Sequence, residues 1–252
     1  MTRAVELITK KEYPELDKFR REFKISNDGE LCIVVGGDGT FIGAASSRDK
    51  PILFVRDNSP MSAGYNSDIS LSETDYIIDQ IKRNAFKIED IGKKIKLVYN
   101  DKTHYAVNDV VLHNVKEEVY FEVYRKGEKV YPFPISGDGI IISNRVGSTA
   151  YNRSAGGPIL IDQSALCLTF ISPDSPFTNS LVFKEDDRIE VKVLKGRGLL
   201  SFDNTELGKL SIGSRFEVST SKKPIKVIKL RGREESISDK LHRLIIRKMS
   251  SV

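Results

Sequence analysis

The sequence predicts two domains: an α/β amino-terminal domain on a parallel sheet, then a β-rich, sandwich-like domain, with a carboxyl-terminal helix returning to the first. Three observations carry this. Continuous apolar runs at residues 31–35 and 51–55 alternate with charged stretches of helical spacing, the pattern of strands buried on both faces. From about Ile95 the texture changes to short segments in which apolar and polar residues alternate between turn residues. The last segment, residues 238–248, goes back to helical spacing.

Taken in order, residues 4–8 form a short apolar strand and residues 12–23 a charged helix. The run at 31–35 enters a glycine-rich turn, after which Gly43, Ala44 and Ala45 lie in the next helix. Residues 51–55 repeat the strand, and 73–87 read as an amphipathic helix. Alternating strands and helices imply a parallel, Rossmann-like sheet. In the second domain Val119, Phe121 and Val123 alternate with polar residues before Lys126-Gly127-Glu128 turns the chain. Further strands are expected at 139–143, 165–171, 188–194, 198–202, 216–219 and 225–230. Leu241, Leu244 and Ile245 share one face of the last helix. The expected divisions are 1–93, 94–234 and 235–252, with a ligand site in the cleft between the two domains.

Composition narrows the function. Hydrophobic residues at 39% with 30% charged are ordinary for a folded globular chain. A net charge of +5 and a pI near 9.0 favour anionic partners. The 40 basic residues are dispersed among 35 acidic ones, without zinc-finger spacing, an RNA-recognition signature or a basic arm. Nucleic acid is therefore not the expected partner, and a phosphorylated small molecule satisfies the charge. No apolar run reaches the ~18 residues that span a bilayer, and the amino terminus lacks a signal-peptide layout, so no membrane association and a cytoplasmic location are expected. Cys32 and Cys167, each inside an apolar stretch, read as buried thiols. His104, His113 and His242 are too scattered for a dedicated metal site.

Three segments carry chemistry. In the first, the strand at 31–35 runs into Gly36-Gly37-Asp38-Gly39-Thr40. A glycine-rich turn at the carboxyl end of a parallel strand lets backbone N–H groups face phosphate oxygens. Asp38 supplies one carboxylate, suited to hold a divalent cation or to accept a hydroxyl proton; a tight turn with an ordinary aspartate is the plainer alternative. The Gly-x-x-x-x-Gly-Lys-Ser/Thr pattern of P-loop enzymes is absent. In the second, Asn108 and Asp109 interrupt the apolar run at 107–112, and buried polar groups of this kind need partners. Either ribose hydroxyls or an adenine edge would serve, as would a β-bulge or turn. The third is Gly137-Asp138-Gly139-Ile140-Ile141-Ile142-Ser143, continued by Asn144-Arg145-Val146-Gly147-Ser148-Thr149-Ala150-Tyr151-Asn152-Arg153-Ser154-Ala155-Gly156-Gly157-Pro158.

The order and spacing of these segments resemble the NAD kinase family, of the archaeal or bacterial type that uses ATP or polyphosphate. Gly-Gly-Asp-Gly-Thr is shared with diacylglycerol kinases, whereas the block from Gly147-Ser148-Thr149-Ala150-Tyr151 to Ala155-Gly156-Gly157-Pro158 is nearly specific to NAD kinases. The resemblance implies transfer of a phosphoryl group from ATP, another nucleoside triphosphate or polyphosphate to the 2′-hydroxyl of the adenosine ribose of NAD. A lipid kinase of the diacylglycerol type and a non-catalytic NAD-binding regulator are the alternatives. By the resemblance, Asp38 accepts the hydroxyl proton with Gly39 against the substrate, and Asn108 and Asp109 bind the dinucleotide. It also puts Asp138 near the nicotinamide half and Thr149, Ala150, Tyr151 and Ser154 in the same cleft. Gly36, Gly37, Gly39 and Thr40 are the phosphate-binding candidates. Mg²⁺ or Mn²⁺ is implied with the donor, and a homodimer or homotetramer as the assembly.

The chain departs from the family pattern in four places. Asn144-Arg145-Val146 replaces the usual Thr-Pro-Thr, which makes Arg145 either a phosphate partner or an idle surface residue. Ser172-Pro173-Asp174-Ser175 stands for Cys-Pro-His-Ser, and Phe202-Asp203-Asn204-Thr205 only loosely matches an Asp-Gly-Gln element. Asp174 and Thr205 are accordingly further site candidates. The glycine-rich segment expected after the second strand is blurred at 58–65.

Overall fold

The computed structural model describes residues 3–57, 65–161, 165–176 and 178–249. The chain forms two compact units, the first made of Met1–Asp90 and Ile225–Val252, the second of Ile91–Pro224. Residues 58–64, most of the blurred glycine-rich segment, lie outside the described residues.

In the first unit Ala4–Thr9, Leu31–Gly36 and Ile52–Arg56 are parallel neighbours, extended by Ile69–Ser70 and by Val227 opposite Ile52. All six residues of Leu31–Gly36 are buried, which is why that run is continuously apolar. One face packs on the helices Leu16–Glu22 and Thr74–Lys82 through Phe19, Ile33, Val35, Val55, Ile77 and Ile81. The stacked rings of Phe41 and Phe54, 5.0 Å apart, tie helix Asp38–Ser47 to the sheet.

Two helices are shorter than expected, each for a local reason. The first begins at Leu16 because Pro14 disfavours helical backbone angles at the residue before it, and the chain turns there with Leu16 N donating to Tyr13 O at 3.0 Å. The helix expected to reach residue 87 ends at Lys82, closed by Asn84 at φ 52° and by Ala85 N donating to Gln80 O at 2.9 Å. The following residues open the long strand Phe86–Tyr99.

The strands expected at 216–219 and 225–230 are one strand, Arg215–Leu230. The return to the first unit accordingly comes at Ile225, earlier than the expected residue 235. The final helix, Ile237–Met249, belongs to the first unit and is held there by polar contacts. Lys240 pairs with Asp68 at 2.8 Å, and Arg243 donates to Ser67 O at 2.9 Å. Its expected apolar face is not a buried stripe: Ile245 is exposed and Leu241 half-buried, while Leu244 lies outside the described side chains.

The second unit is antiparallel. Asp109–Asn114 pairs with Ile135–Ser143 on one side and Gly198–Phe202 on the other. Val119–Arg125 pairs with Arg188–Lys195, and that strand with Arg215–Leu230. Inward residues alternate as the pattern demands (Val119, Phe121, Val123; Ile189, Val191, Val193) and fill one core with Ile140, Ile142, Leu166 and Leu168.

Candidate functional site

The glycine-rich turn lies at the carboxyl end of the buried strand Leu31–Gly36. Gly36 has φ 148°, and a Cβ there would meet Thr40 Oγ1 at 2.8 Å, so only glycine fits. Gly37 precedes the helix in extended conformation and its carbonyl accepts Thr40 N at 2.9 Å. Asp38 is the first residue of helix Asp38–Ser47, where N–H groups and the helix dipole favour negative charge. Gly39 is exposed, and apart from its chain neighbours and its own helix backbone no protein atom lies within 4 Å of where its Cβ would sit, so tertiary packing does not require a glycine there.

These five residues line one recess of about 350 Å³ with Lys10, Lys11, Tyr13, Val35 and Asp57. The Tyr13 hydroxyl donates to Asp57 Oδ2 at 2.9 Å. Burial first, and then the Asp57 carboxylate, push the Tyr13 phenol up to about 12. A recess holding two lysines, a helix start and two carboxylates can take up anionic phosphate together with a cation. Lys10, Lys11, Tyr13 and Asp57 were not legible as site residues, because they lie in charged or turn segments with no motif around them.

The second unit brings Asn108 and Asp109 against the segment that follows Ser143. Ser143 pairs with Asp109 across the sheet, and Asn144 N donates to Asn108 O at 3.4 Å. Gly147 packs so closely that a Cβ would lie 2.0 Å from Asn108 O. The Asn144 amide ties the pieces together: Nδ2 donates to Lys93 O and Val107 O, both at 2.9 Å, and Oδ1 accepts Gly147 N at 3.0 Å. Asn108 Oδ1 is buried and accepts no hydrogen bond among the described residues, an orphan that costs about 1–3 kcal/mol unless a ligand satisfies it. Burial, and then the neighbouring Asp203 carboxylate, raise the Asp109 carboxyl to about 7.

The remaining candidates divide. Tyr151 is 40% exposed, and Ser154 lies three residues on in the same short helix, Tyr151–Ser154. Ala150 precedes that helix and is half-buried. Thr149 is buried, its hydroxyl donating to Val146 O at 3.3 Å. Arg145 is half-buried and donates to Ile91 O at 3.1 Å. Thr205 is exposed at the start of a strand, just after the Asp203–Asn204 turn. Asp138 lies on the same strand as Ser143 but five residues away, about 17 Å along the chain, and accepts Asn114 Nδ2 at 2.7 Å. Asp174 belongs with Asp138, since its N donates to Ser136 O at 3.0 Å and Pro173 pairs with Gly137. The second unit thus carries two polar groups at opposite ends of Ile135–Ser143. Among the described residues no cluster of three or more His, Cys, Asp or Glu could hold a metal ion.

A glycine-rich strand-to-helix turn with a carboxylate at the helix start, joined in one chain to a β unit bearing buried amide and carboxyl groups, defines a phosphotransferase of nucleotide type. Residues 107–230 match the model of the ATP-NAD kinase C-terminal domain. The chain is 31% identical over 214 residues to the NAD kinase of Sulfurimonas denitrificans, covering 81% of this chain and 74% of that one. It is 31% identical over 238 residues to the NAD kinase of Fusobacterium nucleatum, covering 86% and 85%. Yeast NADH kinase complexed with NADH is similar in structure, with a TM-score of 0.80 at 18% identity over 97% of this chain and 86% of that one. The NAD kinase from Archaeoglobus fulgidus in complex with ATP gives 0.75 at 18% identity over 96% and 99%. The structural likeness establishes the fold; the sequence relatives establish that the chain belongs to the NAD kinase family.

Proposed function

We propose that this protein transfers the γ-phosphoryl group of ATP to the 2′-hydroxyl of the adenosine ribose of NAD, giving NADP. The observation that carries the phosphoryl-transfer half is the Gly36–Thr40 turn. It puts one carboxylate at a helix start, with open space over Gly39 for a phosphate to approach. Asp38 accepts the proton of the attacking hydroxyl, a role an ordinary carboxylate can fill because positioning and charge neutralisation dominate phosphoryl transfer. Lys10 and Lys11 line the same recess, and their charge would favour the phosphates of the donor.

Asn108 and Asp109 take the dinucleotide, the orphan Asn108 oxygen accepting from one of its hydroxyls. Asp138, at the far end of its strand, suits the nicotinamide half. Asp38 and Asp57 are the carboxylates available to a Mg²⁺ or Mn²⁺ ion arriving with the donor, which would neutralise charge on the transferred group. The reading also includes a cytoplasmic homodimer or homotetramer, as the family resemblance implies; light scattering of the purified chain measures the second point.

The test is direct. The purified protein is incubated with NAD, Mg²⁺ and ATP, and NADP is detected with an NADP-specific dehydrogenase. Absence of product with ATP, other nucleoside triphosphates and polyphosphate alike would sink the kinase reading. NAD binding without turnover would point to a non-catalytic sensor instead.

A further inference from the structure

We propose that Asp203 is a positioning residue for the dinucleotide: its carboxylate fixes the Val107-Asn108-Asp109 backbone, and so sets where Asn108 and Asp109 present their side chains. The inference rests on the reading of that pair as NAD-binding.

Asp203 occupies the tip of the hairpin between strands Gly198–Phe202 and Thr205–Leu210, and with Asn204 it takes positive φ, 45° and 64°. This conformation turns its side chain back on the loop beside the neighbouring strand. Asp203 Oδ2 accepts Val107 N at 2.6 Å, and Oδ1 accepts Asn108 N at 2.8 Å and Asp109 N at 3.4 Å. Its own N–H donates to Asp109 O at 3.2 Å, closing the clamp from the backbone side. Three successive N–H groups directed at one carboxylate form an anion nest whose occupant belongs to the protein itself. Charge-assisted bonds of this kind are roughly twice as strong as neutral ones.

The clamp is one half of a pair. Asn144 holds the carbonyl side of the same stretch, with its amide on Val107 O and its backbone N on Asn108 O. The three residues are therefore held on both sides, and the Asn108 oxygen is kept buried and unsatisfied, in wait for a donor. Holding a carboxylate near Asp109 works against ionisation of that group, so the arrangement has an electrostatic cost that a merely structural cap would avoid. That cost is intelligible if the position of the loop is what matters.

Two variants test the assignment in the full-length protein. Asp203→Asn keeps the shape but places an NH₂ against one or more of the three donors. Asp203→Gly removes the carboxylate, while glycine accepts positive φ without strain and so preserves the hairpin. NAD affinity is measured by calorimetry without donor, steady-state constants with ATP, and amide hydrogen exchange at 107–109 in the unliganded protein. Both variants are expected to bind NAD at least about tenfold more weakly and to exchange those amides faster. The KM for ATP and kcat at saturating NAD should stay within about threefold. Either variant binding NAD within twofold of wild type, unchanged amide exchange, or a fall in kcat with KM for NAD unmoved would overturn the assignment. A wild-type chain that does not bind NAD would instead overturn the dinucleotide reading beneath it.

Discussion

Replacing Gly39 with alanine should separate stability from turnover. Gly39 is the second residue of helix Asp38–Ser47, and a methyl group there meets no protein atom within 4 Å beyond its chain neighbours and its own helix backbone. In a helix, alanine is favoured over glycine by about 0.5–1 kcal/mol, with the lower figure apt for a first turn. In a chain of this size that is a rise in Tm of about 1–2 °C. The same methyl would occupy the space through which a phosphate reaches the turn. A displacement of about 1 Å at a reacting centre costs on the order of 100-fold. Gly39→Ala is thus expected to melt at or slightly above the wild-type temperature while kcat/KM falls about 100-fold. Scanning calorimetry and the NADP-specific dehydrogenase assay read the two effects. Activity within threefold of wild type would refute phosphate approach over Gly39, and a Tm lowered by several degrees would refute the open space itself.

Three other outcomes follow from the site. Asp38→Asn should lower kcat by at least about 100-fold while NAD affinity, measured by calorimetry, stays within a few-fold; near-normal kcat removes the proton-acceptor role. The Asp109 carboxyl, raised from 3.8 to about 7 in the fold, destabilises the native state progressively as pH rises from about 4 to 7, because the unfolded chain releases that proton first. Asp109→Asn should therefore be more stable than wild type at pH 8, by about 4 kcal/mol at the very most, with the advantage fading towards pH 4; urea melts across that range give the slope, and a pH-independent difference contradicts the raised value. Asn144→Ala strips partners from Lys93 O, Val107 O and Gly147 N at a buried position and should cost about 2–4 kcal/mol in urea unfolding, a loss that a value under 0.5 would deny.

What could be read from the residues alone divides by the range of the interactions. Strand Leu31–Gly36 was legible because burial on both faces leaves no room for polar residues, and its turn because glycine at positive φ leaves a local mark. The second unit's strands showed through their alternation at Val119, Phe121 and Val123. Phe86–Tyr99 did not, since its outer half is charged and only half-buried, which mimics a helix end. Arg215–Leu230 was broken in two by Lys222, Lys223 and Pro224, residues that usually mark a turn. In the site, Asp38, Asn108 and Asp109 stood out by type and setting. The hold of Asp203 on Asn108 joins residues 95 positions apart, and no periodicity carries such a pairing. Arg145 likewise could not be placed until its guanidinium was seen against the Ile91 carbonyl.

The division of the chain has a consequence for its synthesis. Ile91–Pro224 is one uninterrupted stretch, whereas the first unit is assembled from two, Met1–Asp90 and Ile225–Val252. The parallel partner that Val227 gives to Ile52 is made only after the whole of Ile91–Pro224 has been synthesised. Domains generally fold in the order they are made. Here that order inverts: the later-made core can close while the earlier one still waits for the strand that flanks Ile52, and a segment made after the second unit completes the sheet that Ala4–Thr9 began.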